Sequence, residues 1–173
     1  MKTTKKLGVL VVEDDRTYNS ALVHYLQGNL KDQANVTGCQ TGEQSIDLIE
    51  QKPDVVILDY FLNSRFASAM NGLSVLDIVK KRSPGSEIIM VSGQDKIDIA
   101  VKAMNHGAFN YVVKGESAFL QIGKSIRNVM HLRKLQKDSK WARISVLSTI
   151  AGAILLVGFL LAIQVFAPQL FNN

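Results

Sequence analysis

The chain has 173 residues, 47% of them hydrophobic, which is enough to bury one core and leave an appendage. Its net charge of +5 is unevenly placed: residues 1–123 carry 13 Lys+Arg against 14 Asp+Glu, residues 124–143 carry seven against Asp138 alone, and residues 144–173 carry none. That distribution argues against a broad nucleic-acid surface, and the single cysteine, Cys39, excludes an intramolecular disulfide and fits a reducing compartment.

Lys2, Lys5 and Lys6 precede an apolar run of only six residues, Leu7–Val12, too short and too soon followed by acids to be a signal peptide. The run reads instead as a buried strand that stops at Glu13-Asp14-Asp15, with Asp15 placed to cap the next helix. In that helix Ala21, Leu22, Tyr25 and Leu26 recur at helical spacing, and Gly28-Asn29 supplies a stop. Asn35–Cys39 is a weaker strand. Thr41-Gly42-Glu43 opens a helix with Ile46, Leu48 and Ile49 inward, ended by Pro53. Val55–Asp59 is the strongest strand signal, four apolar residues in succession and then a carboxylate. Tyr60–Asn71 is a loop, and Gly72 precedes a helix built on Leu73, Val75, Leu76 and Val79. Glu87–Val91 is a fourth strand, ending at Ser92-Gly93. Ile97, Ala100, Val101 and Met104 line one face of a further helix that stops near Gly107. Phe109–Val113 is the fifth strand, ending on Lys114-Gly115, and Ser117 begins a helix through Ile122, Ile126, Val129 and Leu132. Five strand–helix alternations predict a parallel sheet between two layers of helices, with right-handed crossovers.

In such a sheet, ligand chemistry gathers outside the carboxyl ends of the strands. Glu13, Asp14, Asp59, Ser92 and Lys114 all fall there. Three crowded carboxylates repel one another and call for a cation, and their hard oxygens suit Mg²⁺. A hydroxyl and an ammonium beside that ion complete a site for a tetrahedral anion, with Asp59 able to serve as a nucleophile toward phosphorus.

Val11-Val12-Glu13-Asp14-Asp15, Val55–Asp59, Val91-Ser92-Gly93 and Tyr111-Val112-Val113-Lys114 follow one another in the order and spacing of the receiver domain of two-component response regulators, which residues 7–138 resemble. The resemblance implies a flavodoxin-like α/β fold, doubly wound, with five parallel strands in the order 2-1-3-4-5. It implies a Mg²⁺-dependent phosphoacceptor, and not an enzyme with a separate substrate, supplied by a histidine kinase or phosphotransfer protein. Glu13, Asp14, Asp59 and the Phe61 backbone carbonyl would bind the metal, and Ser92 and Lys114 would hold phosphoryl oxygens. Ser92 and Tyr111 would be switch residues. Two positions depart from the family. Its members often reach the next glycine about eight residues after the acceptor, whereas Gly72 lies thirteen beyond Asp59, leaving a longer loop Asn63–Asn71. Gly115 stands where the family usually has a proline, often after a cis peptide bond.

Ile144–Phe166 is 23 residues without a charge, and at about 1.5 Å per residue it spans roughly 34 Å, enough for a bilayer core. The expected organisation is a receiver at 1–138, a basic junction at 139–143, a transmembrane helix at 144–166 and a tail at 167–173. The basic residues before the span mark its cytoplasmic side and favour anionic lipid, so the receiver is expected in the cytoplasm, tethered to the inner membrane. Arg133–Arg143 holds no Pro or Gly, which suggests one nearly continuous helix into the bilayer. The resemblance implies a face around the switch aromatic that often pairs with a second receiver once phosphorylated, and Ser148/Gly152 and Gly158/Ala162 are small-residue pairs that would let two spans approach, so a homodimer favoured by phosphate is a state the resemblance allows. His24, His106 and His131 are not grouped at ligand spacing, and no nucleic-acid partner is expected. No effector domain is read after the receiver. The competing function is a membrane adaptor that uses the same fold for protein contacts regardless of phosphate. A haloacid-dehalogenase-like phosphatase would need a second acid at position 61, which is Phe.

Overall fold

The computed structural model describes residues 6–62 and 70–166, with backbone alone at residues 137–138, 140, 142–143 and 164–166. Most of the longer loop Asn63–Asn71 and the tail 167–173 therefore lie outside the described residues. Two compact units are present, residues 1–130 and residues 131–173.

The first unit is a five-stranded parallel sheet in the order β2-β1-β3-β4-β5. Its strands are β1 (Leu7–Val12), β2 (Ala34–Cys39), β3 (Val55–Asp59), β4 (Glu87–Ser92) and β5 (Asn110–Val113). Alternation along each strand divides the apolar side chains between two cores, because successive residues of a strand point to opposite faces. Val9, Val11, Val55, Ile57, Ile89 and Val91 meet Leu22, Leu26 and Leu30 of α1 (Arg16–Leu30) and Ile122, Ile126 and Val129 of α5 (Ala118–Phe166). Leu10, Val12, Val56, Leu58, Ile88 and Met90 meet Ile49 of α2 (Gly42–Ile49), Val75, Leu76 and Val79 of α3 (Gly72–Arg82) and Ala103 of α4 (Ile97–Asn105). A sheet buried on both faces explains why its central strands read as unbroken apolar runs.

The helices begin where polar caps put them. Asp15 accepts hydrogen bonds from the Thr17 and Tyr18 amides at 2.8 and 2.9 Å, Thr41 from Gln44 at 3.1 Å, and Asn71 from Ser74 at 2.9 Å. Three details differ from the sequence reading. First, α1 does not stop at Gly28-Asn29 but continues to Leu30, whose buried side chain belongs to the core, while Gly28 lies on the exposed side of the helix. Second, Ala21 faces solvent on α1, and the buried stripe is Asn19, Leu22, Leu26 and Leu30. Third, the face of α4 carrying Ile97, Val101 and Met104 is exposed, at 80%, 50% and 48%, while Ile99 and Ala103 are turned inward. Leu132 of α5 is 46% exposed.

In the second unit, α5 contains one stretch long and apolar enough to cross a membrane, Ile144–Ile163. Its large apolar side chains are exposed, from Ile144 at 58% to Leu161 at 57%, with Ile163 half-buried.

Candidate functional site

Parallel pairing brings the strand ends together. Val12 pairs with both Cys39 and Leu58, Asp59 with Val91, and Ser92 with Val113, so Glu13, Asp59, Ser92 and Lys114 leave the sheet at one edge. Gly72 lets the next helix start directly against this edge: a Cβ there would overlap the Asp59 carbonyl oxygen and lie 2.8 Å from the Tyr60 Cα.

Glu13 and Asp59 are both only 3% exposed, and Asp14 is half-buried beside them. One carboxylate oxygen from each of the three lies within 4.8 Å of the others. Lys114 bridges two of these acids, its Nζ donating to a Glu13 carboxylate oxygen at 2.8 Å and to Asp59 Oδ2 at 3.0 Å. Asp59 Oδ1 accepts the Phe61 amide at 3.2 Å. Glu13, Asp14, Asp15, Arg16, Thr17, Asp59, Phe61, Gly93 and Lys114 line the cleft above. Ser92, which precedes the lining residue Gly93, is fully buried, its Oγ accepting the Gln94 amide at 3.2 Å. Tyr111 stands apart from the acids; its hydroxyl donates to the Gln94 carbonyl at 2.7 Å and so ties β5 to the segment that follows Ser92. Lys114–Gly115 is trans, as are all described peptide bonds.

The electrostatics follow from burial. Loss of water pushes Glu13 up to about 7; the hydrogen bond from Lys114 opposes this, and the Asp59 charge adds to it. For Lys114, burial disfavours the ammonium, but the Glu13 hydrogen bond and the two carboxylate charges outweigh it and raise its pKa. The acids thus carry more negative charge than one lysine balances. Across a Mg²⁺ octahedron with metal–oxygen distances near 2.1 Å, opposite oxygens lie about 4.2 Å apart, so a separation of 4.8 Å closes with a small adjustment. The donor set fits that ion.

Two residues at this site carried no functional reading in the sequence. Asn19 is buried on the apolar stripe of α1, where its Nδ2 donates to the Glu13 carbonyl at 3.1 Å and the Cys39 carbonyl at 2.7 Å, fixing the ends of β1 and β2. Its signal was available: a polar residue in register with Leu22 and Leu26. Tyr18 lies under Lys114, with Nζ 4.7 Å from its ring centroid, a contact that no spacing rule announces.

Residues 9–121 match the response regulator receiver domain family. Among curated proteins, the chain is 34% identical over 111 residues to an NtrX-like response regulator of Rickettsia felis, covering 63% of this chain and 22% of that protein. It is 37% identical over 81 residues to the regulatory protein LuxO of Vibrio cholerae, covering 46% and 16%. The chain therefore spans about a fifth of the length of these relatives. Among solved structures, a CheY-like receiver domain from Methanospirillum hungatei aligns with TM-score 0.64 at 22% identity, covering 75% of this chain and 98% of that one. The receiver domain of a DNA-binding response regulator from Colwellia psychrerythraea aligns with TM-score 0.63 at 24% identity, covering 73% and 99%. At that identity the likeness speaks for the fold.

Proposed function

The chain belongs to the response regulator receiver domain family, and on that premise we propose that it accepts a phosphoryl group on Asp59 from a phosphohistidine donor and is held at a membrane by residues 144–166. The observation that carries the first half is the Lys114 ammonium bound to both Glu13 and Asp59 at the carboxyl edge of the sheet. A carboxylate oxygen of Asp59 attacks phosphorus while the bond to the donor's imidazole nitrogen breaks, and that nitrogen keeps the electron pair and takes up a proton. Lys114 then exchanges its bond to Asp59 for one to a phosphoryl oxygen, and the Ser92 hydroxyl, now serving the Gln94 amide, turns toward another. Glu13, Asp14, Asp59 and the Phe61 carbonyl would hold Mg²⁺, which would supply positive charge beside the phosphoryl oxygens. The shift of Ser92 reaches Tyr111 through Gln94, to which both residues are bonded.

A histidine kinase or phosphotransfer protein is the partner that receiver domains use, and the NtrX- and LuxO-like relatives are regulators of this kind. No separate substrate is turned over on this reading. For the second half, the support is the exposed apolar stretch Ile144–Ile163 and the basic residues before it, which favour a cytoplasmic receiver and contact with anionic lipid. The test is intact mass of the full chain in detergent after exposure to acetyl phosphate. One phosphoryl group should be gained, dependent on Mg²⁺, and released by hydroxylamine. No gain with Mg²⁺ present would refute the proposal.

A further inference from the structure

On the reading that Asp59 is phosphorylated, we propose that Tyr18 is a positioning residue for Lys114, its ring forming a platform on which the ammonium passes from the carboxylates to the phosphoryl oxygens. The Nζ sits 4.7 Å from the ring centroid, inside the range of about 6 Å at which a cation is attracted by an aromatic face. The Lys114 side chain is only 21% exposed, so the contact is partly shielded from water and gains strength from that.

The ring is fixed from two sides. Asp15 caps the Tyr18 amide at 2.9 Å, which sets the first turn of α1. Phe119, on α5, meets the ring edge-on at 5.2 Å and is itself packed against Tyr25 at 5.5 Å. Lys114, by contrast, is followed by Gly115, where an added Cβ would have nothing within 4 Å. The strand's exit fixes the Lys114 backbone, whose amide donates to the Ser92 carbonyl at 2.7 Å, while the Tyr18 ring on α1 flanks the ammonium itself.

A π face suits this task better than a hydrogen-bonding group would. A hydrogen bond holds Nζ at one angle, whereas the attraction to a ring varies slowly as the ammonium slides across it. Lys114 can then leave Asp59 Oδ2 without losing its support. The Tyr18 hydroxyl is buried and has no hydrogen-bond partner among the described residues, so what the residue contributes is the ring.

The experiment compares phosphorylation rates by acetyl phosphate in the full chain in detergent, with Mg²⁺ saturating. Tyr18→Phe should keep the wild-type rate, and Tyr18→Leu should lower it about tenfold, the scale of a shielded cation–π contact. In a Lys114→Met background, Tyr18→Leu should have no further effect, and Tyr18→Leu alone should keep the Mg²⁺ affinity of the wild type. An equal loss with and without Lys114, or no loss in Tyr18→Leu, would overturn the proposal. Should Tyr18→Leu not fold, Tyr18→Met fills similar space without a π face and carries the same expectation. A wild-type chain that takes up no phosphate would instead overturn the phosphoacceptor reading. The platform then stands on NMR of lysine labelled at the carbon beside the ammonium: Lys114 should show a ring-current shift that persists in Tyr18→Phe and vanishes in Tyr18→Leu. A Lys114 signal unaffected by Tyr18→Leu contradicts it.

Discussion

Glu13 is the most informative single residue, because burial holds its carboxyl at about 7 where an exposed glutamate titrates near 4.5. Between those two values the folded chain keeps a proton that the unfolded chain has released. Glu13 therefore contributes less to stability as pH rises through that window, and above about 7 it is an ionised ligand ready for a cation. Mg²⁺ affinity measured by calorimetry should accordingly climb as pH rises toward 7 and level off beyond it. Below 7 the binding heat should depend on the buffer's ionisation enthalpy, since a proton is expelled. Glu13→Gln should remove that dependence; if the slope survives in this variant, another group is responsible. Cys39 offers a second check. Burial pushes its thiol up to about 12 and leaves 8% of the residue exposed, so it should react with a thiol reagent at neutral pH at least about a hundredfold more slowly in the folded chain than in denaturant. Fast labelling of folded protein would contradict the burial of Cys39 in the core it shares with Ile49 and Val12.

The strands were legible because a sheet covered on both faces demands continuous apolar runs, and Leu7–Val12, Val55–Leu58 and Ile88–Val91 supply them. The acids, serine and lysine at their ends were legible for the same reason, since parallel strands present their last residues at one edge. What escaped was set by tertiary packing. The core position of Leu30 extends α1 past Gly28-Asn29, and α4 turns Ile99 and Ala103 to the sheet while Ile97, Val101 and Met104 stay outside. Spacing shows that a helix has an apolar face but not that this face is the one buried. Asn19 escaped because an inward asparagine reads as a break in the stripe until its two carbonyl partners are seen. Gly72 is where element and site meet. Gly72→Ala should cost about 3 kcal/mol or more in unfolding free energy, since the new methyl collides with the Asp59 carbonyl and the Tyr60 backbone. It should also slow phosphorylation by displacing Asp59. Gly85→Ala, where a Cβ would meet nothing within 4 Å, should stay within about 0.5 kcal/mol of wild type. Equal effects at the two positions would mean that α3 does not start against the end of β3.

At the scale of the whole molecule, the proposal joins a phosphoacceptor to a membrane span, and the two halves fail separately. Seven basic residues at 124–143 and none after them predict that the receiver stays in the cytoplasm while the tail crosses. A cysteine substituted at Asn172, in a variant lacking Cys39, should react with a membrane-impermeant thiol reagent in intact cells; reaction only after lysis would reverse the orientation. The central claim is that Asp59 receives the phosphoryl group, and borohydride reduction of the phosphorylated chain tests it most directly. Hydride converts an aspartyl phosphate to homoserine and leaves free aspartate untouched, so peptide mass spectrometry reads the acceptor's position. Homoserine at residue 59, absent without Mg²⁺ and absent from Asp59→Asn, is the predicted result. Homoserine at Asp14, at another aspartate, or at none in a chain that has gained a phosphoryl group would contradict the account.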